Sequence, residues 1–183
     1  MSPNRIGLCA LAAVMLCWVS SPALAADATL FDGSRVASVV TEKDTTLALA
    51  ADLLARDLKS VTGQAPTRAA DIKTCTQTCV VIGRYNSPLV ASIAREAGVD
   101  LPALKGEWER YERVFVTSKR NPRQSYLLIA GSDTRGAVWG VIDLTREMGV
   151  SAWEWWADVT PRHTDHIVVS GEWLLSKSTT VQY

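Results

Sequence analysis

Apolar positions change their period several times along the chain, and each change marks an element. Leu47, Ala51, Leu54, Leu58 and Val61 recur at spacings of four and three, which puts them on one helical face, with Asp52, Arg56 and Lys59 on the other. Asp44 stands where an N-cap carboxylate accepts backbone N–H groups, and Gly63 where a helix ends in a left-handed turn, so a helix is predicted between them. Before it, Arg35-Val-Ala-Ser-Val-Val40 reads as a strand; after it, Cys79-Val-Val-Ile-Gly83 is a short apolar run suited to a buried strand. Ser87-Pro88 then sets a capping hydroxyl before a proline at the first helical position, and Gly98 closes a second helix. Leu101 to Gly106 reads as a loop.

Arg113-Val-Phe-Val-Thr117 and Tyr126-Leu-Leu-Ile-Ala130 are β-rich runs joined by Lys119-Arg-Asn-Pro-Arg-Gln124, whose Asn-Pro is turn chemistry, and together they predict an antiparallel hairpin with a solvated basic tip. Gly131 to Gly140 leaves that hairpin and opens a third helix, with Val138, Val141, Ile142, Thr145 and Met148 on one face and Gly149 ending it. Gly136 and Gly140, four apart, share a side of that helix and allow a neighbouring element close approach. A last strand is expected at Ile167-Val-Val. Alternating strand and helix signals with one hairpin, and no linker or internal repeat, predict one α+β domain: a two-layer sandwich in which a mixed sheet of four or five strands carries helices on one face.

Composition narrows the function classes. The 183 residues carry 19 Lys+Arg against 19 Asp+Glu, with 48% hydrophobic residues and no basic run, so the electrostatic footprint of a nucleic-acid partner is missing. A complete β/α barrel, at about 250 residues, does not fit. At the N-terminus, Arg5, the apolar stretch Ile6 to Val19 and Ala23-Leu-Ala25 form the three parts of a secretory signal peptide. The apolar stretch is shorter than the roughly 20 residues that span a bilayer, so residues 1–25 are expected to be cleaved and no membrane segment to remain after that. The domain proper is then 26–183, near neutral, and periplasmic or secreted.

Few residues carry candidate chemistry. Cys75 and Cys79, separated by a three-residue spacer inside Lys73-Thr-Cys-Thr-Gln-Thr-Cys79, suit a disulfide in an oxidising compartment; the rivals are a metal site, for which no second Cys or His pair lies nearby, and a redox pair, whose spacing is one residue shorter. His163 and His166 have a zinc-like spacing but lack a third ligand, and read as a turn. The glycine-containing start of the third helix has neither a Gly-Lys-Ser/Thr ending nor a Gly-x-Gly-x-x-Gly pattern, so it caps a helix rather than binding a nucleotide. No metal and no cofactor is expected. The unusual stretch is Gly149-Val-Ser-Ala-Trp-Glu-Trp-Trp-Ala-Asp158, in which Trp153, Trp155 and Trp156 crowd beside Glu154 and Asp158. Such indoles either stack on sugar C–H faces, with the carboxylates accepting hydroxyl bonds, or weld one domain to another through an apolar interface.

On these residues the sequence resembles a family. The run Gly131-Ser-Asp-Thr-Arg-Gly-Ala-Val-Trp-Gly140, then Asp143-Leu144, Gly149 to Val159, and Leu30-Phe-Asp-Gly33 near the start, are similar to the N-terminal domain of glycoside hydrolase family 115, the xylan α-glucuronidases. Ala152 stands where that family typically has Pro, and Glu154 where it has an aromatic. The resemblance implies a small accessory domain, like the one preceding the barrel in hexosaminidases, within a long exported enzyme that removes (4-O-methyl-)glucuronic acid from α-1,2 linkages on xylan with inversion. It further implies that the catalytic residues lie on a β/α barrel beyond Tyr183, so that the chain alone is inactive. Asp143, Glu147, Glu154 and Asp158 therefore receive no catalytic role. The implied partners are that barrel in the same polypeptide and glucuronoxylan, with Trp153, Trp155, Trp156 and Asp158 as the substrate-binding or domain-docking residues. A stand-alone carbohydrate-binding module and a non-catalytic periplasmic scaffold are the alternatives.

Overall fold

A computed structural model describes residues 27–75 and 77–171. The expected leader, 1–25, and the end of the chain at Tyr183 lie outside the described residues. In chain order the elements are β1 (Ala28–Phe31), β2 (Ser38–Thr41), α1 (Thr45–Thr62), β3 (Thr78–Arg84), α2 (Pro88–Ala97), β4 (Tyr111–Thr117), β5 (Ser125–Gly131), α3 (Thr134–Glu147), the single turn α4 (Glu154–Ala157) and β6 (Ile167–Val169).

Local chemistry sets the helix ends. Asp44 accepts the Leu47 N–H at 3.0 Å to open α1, and Gly63, at φ 75°, closes it with its N–H on the Lys59 carbonyl. Ser87 caps α2 before Pro88, and Asp133 caps α3 through the Gly136 N–H at 2.7 Å. The predicted strand at 35–40 is shorter than its β-rich sequence. Asp32 accepts the N–H groups of Ser34 and Arg35 at 2.9 and 2.7 Å, making a turn that folds Val36 back on Phe31 and delays entry into the parallel sheet until Ser38. The Ser34 hydroxyl bond, followed by those backbone bonds, lowers the Asp32 carboxyl to about 2.

β2, β3 and β5 run parallel and β4 antiparallel beside β5, in the order β2-β3-β5-β4, while β1 and β6 form a separate antiparallel pair. This is the expected α+β domain with a mixed sheet. α1 and α3 share one sheet face, where Leu54, Leu58, Val141 and Leu144 meet Val80 and Leu127. The opposite face carries the shorter α2, whose Val90 and Ile93 pack with Leu101, Leu104, Val81 and Leu128, so helices lie on both faces of the sheet and not on the one face expected of a two-layer sandwich, because β3 and β5 are apolar on both sides. Strands buried on both faces lose apolar–polar alternation, which is why β3 and β5 read as unbroken apolar runs.

α3 sits unusually close to its neighbours. A Cβ on Gly136 would lie 2.1 Å from the Arg110 carbonyl oxygen, and one on Gly140 would lie 2.5 Å from the Ile129 side chain. The glycine side therefore faces the sheet, so Ala137, Val141 and Leu144 are the buried centre, and Val138 and Ile142, expected on the apolar face, are only half-buried. Asp143 and Glu147, read from sequence as a solvated polar side, fasten this helix. Tyr111 donates its hydroxyl to Asp143 at 2.6 Å, Arg113 pairs with Glu147, and Glu147 also accepts the Ser170 N–H at 2.9 Å. Among the described residues no helix is long and apolar enough to cross a membrane.

Candidate functional site

After α3 the chain turns at Gly149 and winds into α4, which carries the tryptophan-rich stretch. Trp153 is 66% exposed and Trp156 85%, far from the burial that indole area normally finds. The side chain of Trp155 lies outside the described residues. Asp158 is exposed and ends the turn at φ 50°, and Val159 beyond it is exposed as well.

One ion pair ties this turn to α1. Glu154 reaches Arg56 at 3.4 Å, and Arg56 also binds Asp57 at 2.6 Å. Burial pushes the Asp57 carboxyl up, against the Arg56 hydrogen bond and charge that pull it down. A cleft of about 240 Å³ opens beside the turn between α1 and α3, lined by Leu53, Ile142, Val150 and Ala152 among others. The indoles and this half-buried apolar lining make α4 and the outer side of α1 and α3 a surface able to pack against a partner or stack on one.

The remaining candidates lie elsewhere. Cys75 and Cys79 are joined by a disulfide with Cα atoms 6.0 Å apart, and the Gln124 amide donates to the Cys75 carbonyl at 3.0 Å, tying the bridge to the end of the β4–β5 hairpin. The basic hairpin tip rests on α2. Glu96 accepts the Ser118 hydroxyl at 2.6 Å and pairs with Arg120, and the hydroxyl bond is the leading cause that lowers its carboxyl. His163 pairs with Asp165 at 3.4 Å, and among the described residues no group of three or more His, Cys, Asp or Glu side chains is placed to hold a metal. Asp143, Glu147 and Glu154 are each engaged in the structural bonds above.

Two features had no counterpart in the sequence reading. Trp108, just before β4, is 59% exposed, with the Arg135 guanidinium carbon 6.0 Å from its ring centroid. Glu112 is wholly buried on β4, with neither carboxyl oxygen hydrogen-bonded. Local pattern gave no sign of either, because both depend on what α3 and the 99–108 segment bring alongside.

No protein-family model matches the sequence, and no curated protein matches it. The fold nevertheless defines a class: a glycoside-hydrolase-related α+β domain, by its likeness to a solved enzyme. That enzyme is a family GH115 4-O-methyl-α-glucuronidase with specificity for decorated arabinogalactans, matched at a TM-score of 0.58 and 27% identity. The match covers 74% of this chain and 16% of that one, so the chain spans about a sixth of its neighbour's length.

Proposed function

We propose that the chain is the N-terminal accessory domain of an exported glycoside hydrolase of the α-glucuronidase type, docked on a catalytic barrel through α3, α4 and the indoles of Trp153, Trp155 and Trp156. The observation that carries this reading is the GH115-related fold, which takes up most of this chain and a small part of a much longer enzyme. Two exposed indoles beside an apolar cleft support the docking surface, since large apolar area left open to water marks an interaction site. A periplasmic or secreted location accords with the leader pattern and with the Cys75–Cys79 disulfide.

The test begins with the gene beyond the codon for Tyr183. A continuing frame that encodes a barrel supplies the partner, and a stop codon there ends the docking reading. Domain and barrel, expressed separately and mixed, should associate, with Trp156→Ala weakening the complex about tenfold, as for an interface tryptophan. The purified 183-residue chain should release no glucuronic acid from glucuronoxylan; measurable release would overturn the assignment of catalysis to another domain. A second reading has the same exposure in its favour: that the indoles and Asp158 face glucuronoxylan directly, as in a binding module. Binding of glucuronoxylan that Trp156→Ala abolishes, with no barrel association, would select it.

A further inference from the structure

Trp108 sits at the carboxyl ends of β2, β3 and β5, where α/β sheets gather their ligands, and at the opposite end of α3 from α4. The helix has 14 residues, so the two aromatic surfaces are about 20 Å apart along its axis. The backbone beneath Trp108 is built with unusual rigidity. Glu109 lies in the left-handed region at φ 54°, uncommon for a residue with a side chain, and is buried. Its N–H donates to Asp133 at 2.9 Å, its carboxylate pairs with Arg135 at 2.9 Å, and the Arg110 N–H donates to Ser132 at 3.0 Å. Ser132 returns its own N–H to the Arg110 carbonyl at 2.8 Å, and Gly136 leaves no room for that carbonyl to move toward α3. These contacts hold the indole outward, backed by a guanidinium that is itself 67% exposed.

The surroundings choose the ligand. Arg135 is paired with Glu109 and Arg110 with Glu107, at 3.1 Å, while Asp133 is spent on the α3 N-terminus, so the site offers no net positive charge to an anion. A protein's apolar patch would have to strip water from these ion pairs, which is costly. A neutral pyranose has what fits: a C–H face for the indole, and a rim of hydroxyls for exposed carboxylate and guanidinium groups. We propose that Trp108, with Arg135 and Glu107, is a platform for a neutral pyranose chain, separate from the α4 surface. Only the choice of xylan as first probe rests on the function proposed above.

Titration of the 183-residue chain with xylohexaose, cellohexaose and a galactan hexasaccharide, followed on the indole N–H resonances, tests it. At least one should shift the Trp108 signal saturably, with an affinity little changed between low and high salt. Trp108→Ala should weaken binding about tenfold with its melting temperature and remaining spectrum kept, and Trp108→Phe should restore part of it. Loss of binding in Trp156→Ala but not in Trp108→Ala, or no saturable shift with any of the three, overturns the proposal. So does weakened barrel association in Trp108→Ala, which would make the platform a docking contact. Because the docking test reads α4 variants against the barrel and this one reads Trp108 against sugar, either can fail alone.

Discussion

A carboxyl group with no partner and no water-facing surface is expensive to ionise, and Glu112 is such a group. Desolvation raises its pKa above the ordinary 4.5, the Arg110 charge opposes that rise, and Asp100 adds to it. The folded chain therefore holds this proton more tightly than the unfolded one. The cost of Glu112 is absent below pH 4.5 and grows as pH rises through the elevated folded value. Glu112→Gln keeps the shape and removes the charge. Denaturant unfolding at pH 5 and pH 8 should show the variant gaining stability over the parent at pH 8, with the difference shrinking at pH 5. A gain that does not depend on pH would refute a buried neutral acid. In the sequence Glu112 stands just before the β-rich run Arg113 to Thr117 and looks like an ordinary polar position. Only the packing of Leu101 and Leu104 over that face of the sheet makes it an interior residue.

At the scale of elements, α3 is held by what it lacks. Its two sheet-facing glycines let the backbone ride against Arg110 and Ile129, and no side chain fits there. Gly136→Ala should destabilise despite alanine's better helix propensity, by about 1–3 kcal/mol or more, because the obstruction is backbone that cannot rotate away. A thermal melt reads this as a fall of several degrees or more; an unchanged or raised midpoint would mean that α3 shifts freely. The glycine pair was legible as a close approach, but not its target, since Arg110 becomes a neighbour only through the β4–β5 pairing. Ends were the most legible parts. Asp44, Gly63, Ser87 and Gly98 act within four residues of themselves, so the limits of α1 and α2 follow from local bonds. β1 was not legible, because Ala-Thr-Leu-Phe becomes a strand only by pairing with residues far along the chain.

For the molecule as a whole, the surface is uneven. Trp153 and Trp156 crowd one end of the α1–α3 layer, Trp108 stands at the other, and the sheet between them is closed on both faces. Exposed indoles contribute little to folding, so Trp153→Ser with Trp156→Ser should move stability by no more than about 0.5 kcal/mol per site. Denaturant unfolding of the double variant beside the parent reads this. A large loss of stability instead would mean that α4 is part of the core. The mixed α+β architecture was open to the sequence because its signals are periodic. The exposure of the tryptophans was not, because an aromatic cluster has the same spelling whether it faces solvent, sugar or protein.

The pairing of β1 with β6 also sets an order of events in time. A chain delivered from its N-terminus presents Ala28–Phe31 among the first of the described residues and Ile167–Val169 among the last. The first strand to emerge is thus the last to find its partner strand, after β2, β3, β5 and β4 can already have joined. Closing so long a loop is slow relative to local steps. Through that interval β1 can meet only its local neighbours, Phe31 bridging Val36 and Leu30 accepting the Ala37 N–H, while its β6-facing edge stays unpaired, and shielding that edge falls to whatever accompanies the chain as it emerges.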